Sequence, residues 1–416
     1  MKRCLVMVAA LAAAGAGAET LQWTGASAAD QWSDGANWFL FAPPVDGDTV
    51  VFDANAAARL ANDPGQGWRL AGLVVADVPG AVTLTNSAPA AVLTNGAGGL
   101  DLSAATADLS LLVNLELAEP QTWNVAAGRT LNLHTLNSGR TLTGTGAVTL
   151  VGGGAVVLKP GTSGSVGFND AGSFSGYAGT WTLGTNVLVT NIRNGRTAFG
   201  TGSIRMEGGT LAQVDGNWTW TTPIEAVAGF TSTLGNRSTG AGRALKLQGV
   251  LSGGGTLVFD DTVNTLGADT GIILAGTNTC TGLLQISPNT EVRVGGVPGD
   301  DVTTAAGPAG TLGEAAVTND GTLTFSRSDE LVVSNAIAGV GAVRIGGGVA
   351  GVATQVVRLR GSNTYAGLTS VSGGSTLEVD AIADGALSRI GEAGGAGNGV
   401  QLNNGTLRYS AAAAAT

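Results

Sequence analysis

Two distant stretches of the chain repeat one another without a gap. LAGTNTCTGLLQISPNTEVRV runs over residues 274–294, and LRGSNTYAGLTSVSGGSTLEV runs over 359–379. Gly276 and Gly361, Asn278 and Asn363, Gly282 and Gly367, and Val294 and Val379 fall at matching positions. A shorter copy, Gly176-Tyr177-Ala178-Gly179, matches the Tyr365-Ala366-Gly367 portion. Upstream of each long copy a second phrase recurs: LSGGGTLVF at 251–259 and IAGVGAVRI at 337–345, with LTGTGAVTL at 142–150 as a poorer version. Downstream, NDGTLTF at 319–325 returns as NNGTLRY at 403–409, and Gly209-Thr210-Leu211 is a fragment of it. Subtraction of these positions gives a unit of roughly 85–110 residues, which suits several solenoid turns per unit rather than one.

Inside a unit, short alternating runs such as Thr-Leu-Val-Phe, Leu-Leu-Gln-Ile and Glu-Val-Arg-Val are separated by Gly, Asn, Thr and Ser. Runs of this kind read as strands of four to six residues. Of the 416 residues 68 are Gly, and only 12% are charged. Scattered Gly is costly inside helices, so a helix-rich fold is excluded. A content of 44% hydrophobic residues excludes disorder. The chain is therefore expected to be all-β and, given the repeats, a parallel β-solenoid. Its coils should stack at about 4.8 Å, with small apolar side chains inside and φ > 0 residues at the corners. At roughly 20–25 residues per coil the mature chain would make about 16–20 coils and a rod on the order of 80–95 Å. Scarce charge fits such stacking, which would place like charges about 5 Å apart. A recurring asparagine, Asn278 or Asn363, is expected to stack and hydrogen-bond along the axis.

The N-terminus reads as a signal peptide over 1–18: Lys2-Arg3, the apolar run Cys4 to Ala14, then Ala16-Gly17-Ala18 before Glu19. The formal net charge of −10 becomes −12 on its removal, which argues against nucleic acid and anionic membranes as partners. Only Cys280 then remains, so no intrachain disulfide and no cysteine metal site is expected. The rest divides into a Trp-rich cap segment, 19–55, and the coil, 56–416, with its clearest units at 247–331 and 333–416. The chain stops at Thr416 straight after a strand, so a C-terminal truncation is expected, because repeat arrays carry terminal caps.

The phrase G-[TS]-N-T-[CY]-x-G-L-x-x-[IV]-S-x-x-[ST]-x-[LV]-x-V resembles the autotransporter-associated β-strand repeat, also called the passenger-associated transport repeat. The upstream L-Q-G-V-L-S-G-G-G-T-L at 247–257 and the downstream N-N-G-T-L at 403–407 agree with that pattern. The opening Trp23-Thr24-Gly25, Trp32-Ser33-Asp34-Gly35-Ala36-Asn37-Trp38 and Pro43-Pro44-Val45-Asp46-Gly47-Asp48 are similar to the first segment of many such proteins. The resemblance covers the signal, the opening and about 200 C-terminal residues. It implies a right-handed parallel β-helix, exported and held at, or shed from, the outer surface of a Gram-negative bacterium. It implies a structural or adhesive role, with cell-surface glycans or host or neighbouring surfaces as partners and the export machinery reading the leader. Cys280 departs from the usual Tyr, which suggests a small buried side chain there.

Catalysis is not expected, and no cofactor or metal is expected either. The alternative is a carbohydrate-active or glycan-binding β-helix. Asp260-Asp261 is the best carboxylate pair, but neighbours on a strand point to opposite faces and cannot flank one sugar. The single histidine, His134, reads as a solvated strand residue, leaving nothing for a Ser-His-Asp triad. Gly346 to Gly351 matches G-x-G-x-x-G but lacks a following helix, so it is a turn. Asp46, Asp48, Asp34 and Asn37 could offer oxygens to calcium, although tight turns explain them without it. Trp23, Trp32 and Trp38 lie close together in the chain, and two readings stand: a hydrophobic cap on the first coil, or rings that stack on glycans. Trp218 and Trp220 share one strand face and should pack between coils. Gly276, Asn278, Gly282, Gly361, Asn363 and Gly367 are the expected corner residues of the repeat.

Overall fold

The computed structural model describes residues 18–56, 61–88, 90–134, 140–159, 174–192, 199–237, 243–261, 271–296, 307–346, 355–382, 389–391 and 399–410. The expected signal peptide thus lies, apart from Ala18, outside the described residues, as do residues 411–416. Among the described residues the only helical element is one 3-10 turn, Gly35–Asn37. The remainder forms strands, mostly of three to six residues, in sheets of 13, 12, 8 and 4 strands. Strand pairs with strand in parallel throughout, each strand lying beside its equivalent one coil later. This is a parallel β-helix.

Three walls run along the coil. Wall one follows the main path of the 13-stranded sheet, from Thr20–Gln22 through Thr49–Phe52 to Leu251–Ser252. Wall two is the 12-stranded sheet, from Ala61–Asn62 to Ile337–Ala338. Wall three begins with Asn114–Leu117, Leu142–Gly144 and Gly176–Tyr177, and continues as the 8-stranded sheet from Trp218–Trp220 to Val400–Asn403. Early in the chain walls three and one are joined, because Trp68–Val75 and Val92–Leu102 bend round the corner without a break. Gly99, with φ of 67°, makes that bend where a Cβ would strike the Thr122 carbonyl of the next coil.

Inward positions form columns. On wall one Val50, Leu73, Leu100, Trp123, Leu150, Leu183, Met206 and Ala226 stand in register and are all buried. On wall two Leu109, Leu131, Val156, Val189, Leu211, Leu234, Phe259 and Ile286 do the same. Each Val, Leu, Ile, Phe or Met among them contributes about 1.5–3 kcal/mol on burial. Coil length varies: the coil that runs from Val317 to its partner Ile337 is much shorter than the one from Leu283 to Ala316.

The sequence repeat is out of phase with the coil. Leu142–Gly144 lies on wall three, its copy Leu251–Ser252 on wall one, and the next copy Ile337–Ala338 on wall two. The Tyr/Cys phrase follows the same course. Gly176–Tyr177 is on wall three. Thr279 stacks on Leu251 in wall one, and Thr364 stacks on Ile337 in wall two. The Gly-Thr-Leu phrase moves from Thr210–Asp215 on wall two to Thr322–Phe325 on wall three. Each unit is therefore a whole number of coils plus one wall. Where the Asn-Thr phrase arrives the wall turns irregular, and the sheet there ends: wall one after Leu251–Ser252, wall two after Ile337–Ala338. Wall one resumes as the 4-stranded sheet Glu330–Val333, Val356–Leu359, Thr376–Val379 and Thr406–Tyr409.

Candidate functional site

At the first coil the sequence W-S-D-G-A-N-W folds into an aromatic plug. Asp34 caps the short 3-10 turn by accepting from the Ala36 amide. Asn37 is buried, donates to the Ala29 and Gln31 carbonyls, and accepts from the Ser27 amide. Its neighbour Trp38 meets Trp23 edge-on at 5.1 Å and Trp32 at 5.7 Å, while Phe52 and Trp68 close the cluster around Trp32. The Trp32 indole donates to Asn62 at 2.7 Å, and the Trp38 indole donates to the Trp32 carbonyl at 2.8 Å. Trp23, Trp32 and Trp38 are 0%, 0% and 1% exposed. Glycan stacking needs an open ring face, and none of the three has one. The oxygens weighed for calcium are also engaged: Asp48 accepts from the Glu19 and Val45 amides, and Asp34 from Ser27 and Ala36. Among the described residues no cluster of three His, Cys, Asp or Glu side chains could hold a metal.

The repeat asparagines do equivalent work on different walls. Asn278 accepts from the Leu251 amide at 2.9 Å and donates to the Thr311 carbonyl at 2.7 Å. Asn363 accepts from the Ile337 amide at 2.9 Å and donates to the Arg389 carbonyl at 2.7 Å. Each thus ties the coil before to the coil after. They do not stack on one another, because the wall-by-wall advance separates them. The corner glycines also differ from expectation. Gly276, Gly282, Gly361 and Gly367 do not have positive φ; a Cβ on any of them would collide with a carbonyl of the preceding coil. Close approach of two backbones is what selects Gly there. Tyr177 and Tyr365 are buried, with hydroxyls bonded to the Gly146 carbonyl at 2.9 Å and to Thr369 at 2.7 Å. Cys280, in the equivalent place, is 2% exposed, and burial pushes its thiol up to about 11.

Asp260 ends the strand Thr256–Asp260, and Asp261 turns inward to 2% exposure. It extends a column of side-chain amides, Asn191, Gln213 and Asn236, that follows Leu158 on wall two. Gln213 donates to Asn236 at 2.6 Å, and Asn236 hydrogen-bonds Asp261. Burial raises the Asp261 carboxyl to about 8, helped by the nearby Asp260 and Glu291 charges. Glu291 is itself engaged by Arg293 at 3.1 Å and by Thr324 at 2.8 Å. The His134 side chain and residues 347–351 of the G-x-G-x-x-G match lie outside the described residues.

Two features escaped sequence reading. On the last coils Arg358, Glu378 and Arg408 stand in one outward column, with opposite signs alternating. Glu378 is 5% exposed; burial opposes its charge, but hydrogen bonds from Arg360, Ser410 and Arg358 outweigh burial and hold it near 2. Arg360 and Arg389 bracket Asp380 in the same patch. The alternation of basic and acidic residues at 358, 378 and 408 is visible only once the register is known. The second feature is a cleft of about 470 Å³ where wall one is irregular, lined by Thr277, Thr279, Thr311, Glu314, Leu331 and Val332 among others. Compared with known proteins, the chain matches no family model, no curated protein and no solved structure.

Proposed function

We propose that the chain is an exported structural or adhesive β-helix, a passenger domain of the autotransporter-associated kind, held at or shed from a Gram-negative surface and acting without catalysis. The observation that carries this reading is the continuous stack from Thr20 to Tyr409. Ten strands and two irregular segments on wall one, then the four strands that resume it, make about sixteen coils. At about 4.8 Å each, they set the two ends roughly 70–75 Å apart. A rod of that kind holds its far end away from the point of attachment. Surface glycans or host or neighbouring surfaces are its partners in this reading, with the export machinery reading residues 1–18. The test is expression of the full chain in a Gram-negative host. Exported material should begin at Glu19, and its small-angle scattering should be that of a rod. A globular scattering curve, or protein kept in the cytoplasm with its leader intact, overturns the reading.

One observation favours the second reading, a carbohydrate-active β-helix: Asp261, a carboxyl held protonated at neutral pH, lies near the Glu291 carboxylate. Such pairing is how a glycosidase sets an acid beside a base. Against it stands the burial of Asp261, which leaves a sugar no approach. Hydrolysis of a polysaccharide panel that disappears in Asp261→Asn would favour this reading over the first.

A further inference from the structure

The plug of buried tryptophans carries an apolar tip on its outside. Phe39, Leu40 and Phe41 follow Trp38 directly and are 61%, 59% and 79% exposed, with Val45 at 48%. Consecutive large apolar side chains in water are unusual for a surface and mark contact sites. The tip is also built to stay where it is. Phe41 has φ of 59°, an outlier for a bulky side chain. Its amide bonds the Trp38 carbonyl at 3.0 Å, and the Phe39 amide bonds the Gln22 carbonyl at 3.1 Å. The Phe41 carbonyl lies so close to Gly35 that a Cβ there would collide with it. A fixed apolar tip loses little freedom on binding, which is what an anchoring residue needs.

The charge around the tip selects the partner. Asp34 precedes Gly35, Asp53 is bonded to Gln22, and exposed Asp46 follows Val45. Hydrogen bonds from Ser27 and the Ala36 amide hold Asp34 below the usual carboxylate range, so it is ionised. From Ala18 to Ala56 the chain has no Lys or Arg. An anionic bilayer is repelled by such a rim: exposed Arg69, beside Asp46, is a single cation among these acids, whereas lipid anchoring by surface tips draws on clusters of basic residues. A second copy would bring the same acids face to face, and like charges so placed oppose association. We propose that Phe39-Leu40-Phe41 is a docking knob for a partner protein that offers an apolar pocket rimmed by arginine or lysine. This deepens the adhesive half of the function proposed above and rests on it only for the tip's exposure to another surface.

The experiment places a benzophenone amino acid at position 41 of the full chain in the cells that make it, irradiates them and identifies the adduct. The captured protein is then purified and titrated with the full chain. A protein adduct is expected, with binding at least about tenfold weaker for Phe41→Asp or Leu40→Asp. Binding should also weaken several-fold between about 50 and 300 mM salt. Phe230→Asp, exposed on a distant coil, should bind as the parent does. Circular dichroism identical to the parent's shows that the variants fold. An adduct to lipid or to a second copy, binding indifferent to the two substitutions or to salt, or no adduct at all overturns the proposal. A rod-shaped scattering curve alongside any of those results leaves the stalk reading standing, so the two fail separately.

Discussion

The first coil and the last described coil meet water in opposite ways. At the first, Trp23, Trp32 and Trp38 close over the columns that run through Val50 and Phe52, and all five are buried. At the last, Leu402 and Tyr409 occupy the registers of Val371 and Val379, which are 0% exposed, yet are 51% and 60% exposed themselves. The same inward position is core in one coil and surface in another. In a stack, a side chain is buried by its neighbours above and below, so burial is a property of the pair and not of the coil. The first coil meets that requirement with aromatics bent back over it; near the last coil, charge ladders on the outer face add to the hold between coils.

Trp38→Ala should break this contrast most forcefully. It removes the ring that both other tryptophans touch, at about 3–5 kcal/mol. Hydrogen exchange should then lose protection first over Thr20–Val75, with the later walls protected longer; uniform loss would mean that the plug does not act locally. In the middle of the rod, Asp261→Asn tests a polar position sealed from both ends. With its carboxyl raised to about 8, folded protein keeps a proton that unfolded protein releases above its ordinary value of 3.8. Stability therefore falls as pH rises from about 4 to about 8. The Asn variant should be more stable by on the order of 2–4 kcal/mol at pH 8, with the gain gone near pH 4. Denaturant melts at the two pH values measure it.

Glu378→Gln probes the charge ladder near the last coil. Its depressed carboxyl contributes stability that is full above about 4.5 and lost as pH falls through about 2. The variant should melt a few degrees lower at pH 7 and no differently from the parent near pH 2. An unchanged difference at both pH values would assign the loss to packing. The smallest effect belongs to Leu402→Ala, expected within about 0.5 kcal/mol. Val371→Ala, one coil earlier in the same column, should cost about 1–3 kcal/mol. Equal costs would show that the last coil is covered after all.

Much of the architecture was legible in the residues. Leu-Thr alternation, Gly-rich corners and the echo of 274–294 in 359–379 lead to stacked β coils, because only such a fold reuses one pattern along an axis. Asn278 and Asn363 were recognisable as corner residues from their recurrence. What they bond to was not, since the partners lie 27 and 33 residues away for Asn278 but 26 residues away on both sides for Asn363. Corner Gly276 and Gly361 were expected for positive φ and are needed instead because two backbones touch. The three tryptophans left cap and glycan contact both open, because the sequence shows that they are close and not which way they face. Phe39, Leu40 and Phe41 were not legible as a tip, because exposure of an apolar run beside a buried one has no signature in composition.

By itself the sequence determined that this chain is β throughout and that its turns, low charge and repeats demand a stack. Both follow from local preference and periodicity, which act over a few residues. Only the tertiary structure decided that each repeat advances by one wall, ending one sheet each time its Asn-Thr phrase arrives. It also decided that Asp261 faces inward and that the aromatic plug seals one end. Those outcomes depend on how many strands fit between two copies. Coils as unequal as Val317 to Ile337 and Leu283 to Ala316 make that number invisible to the chain's own arithmetic.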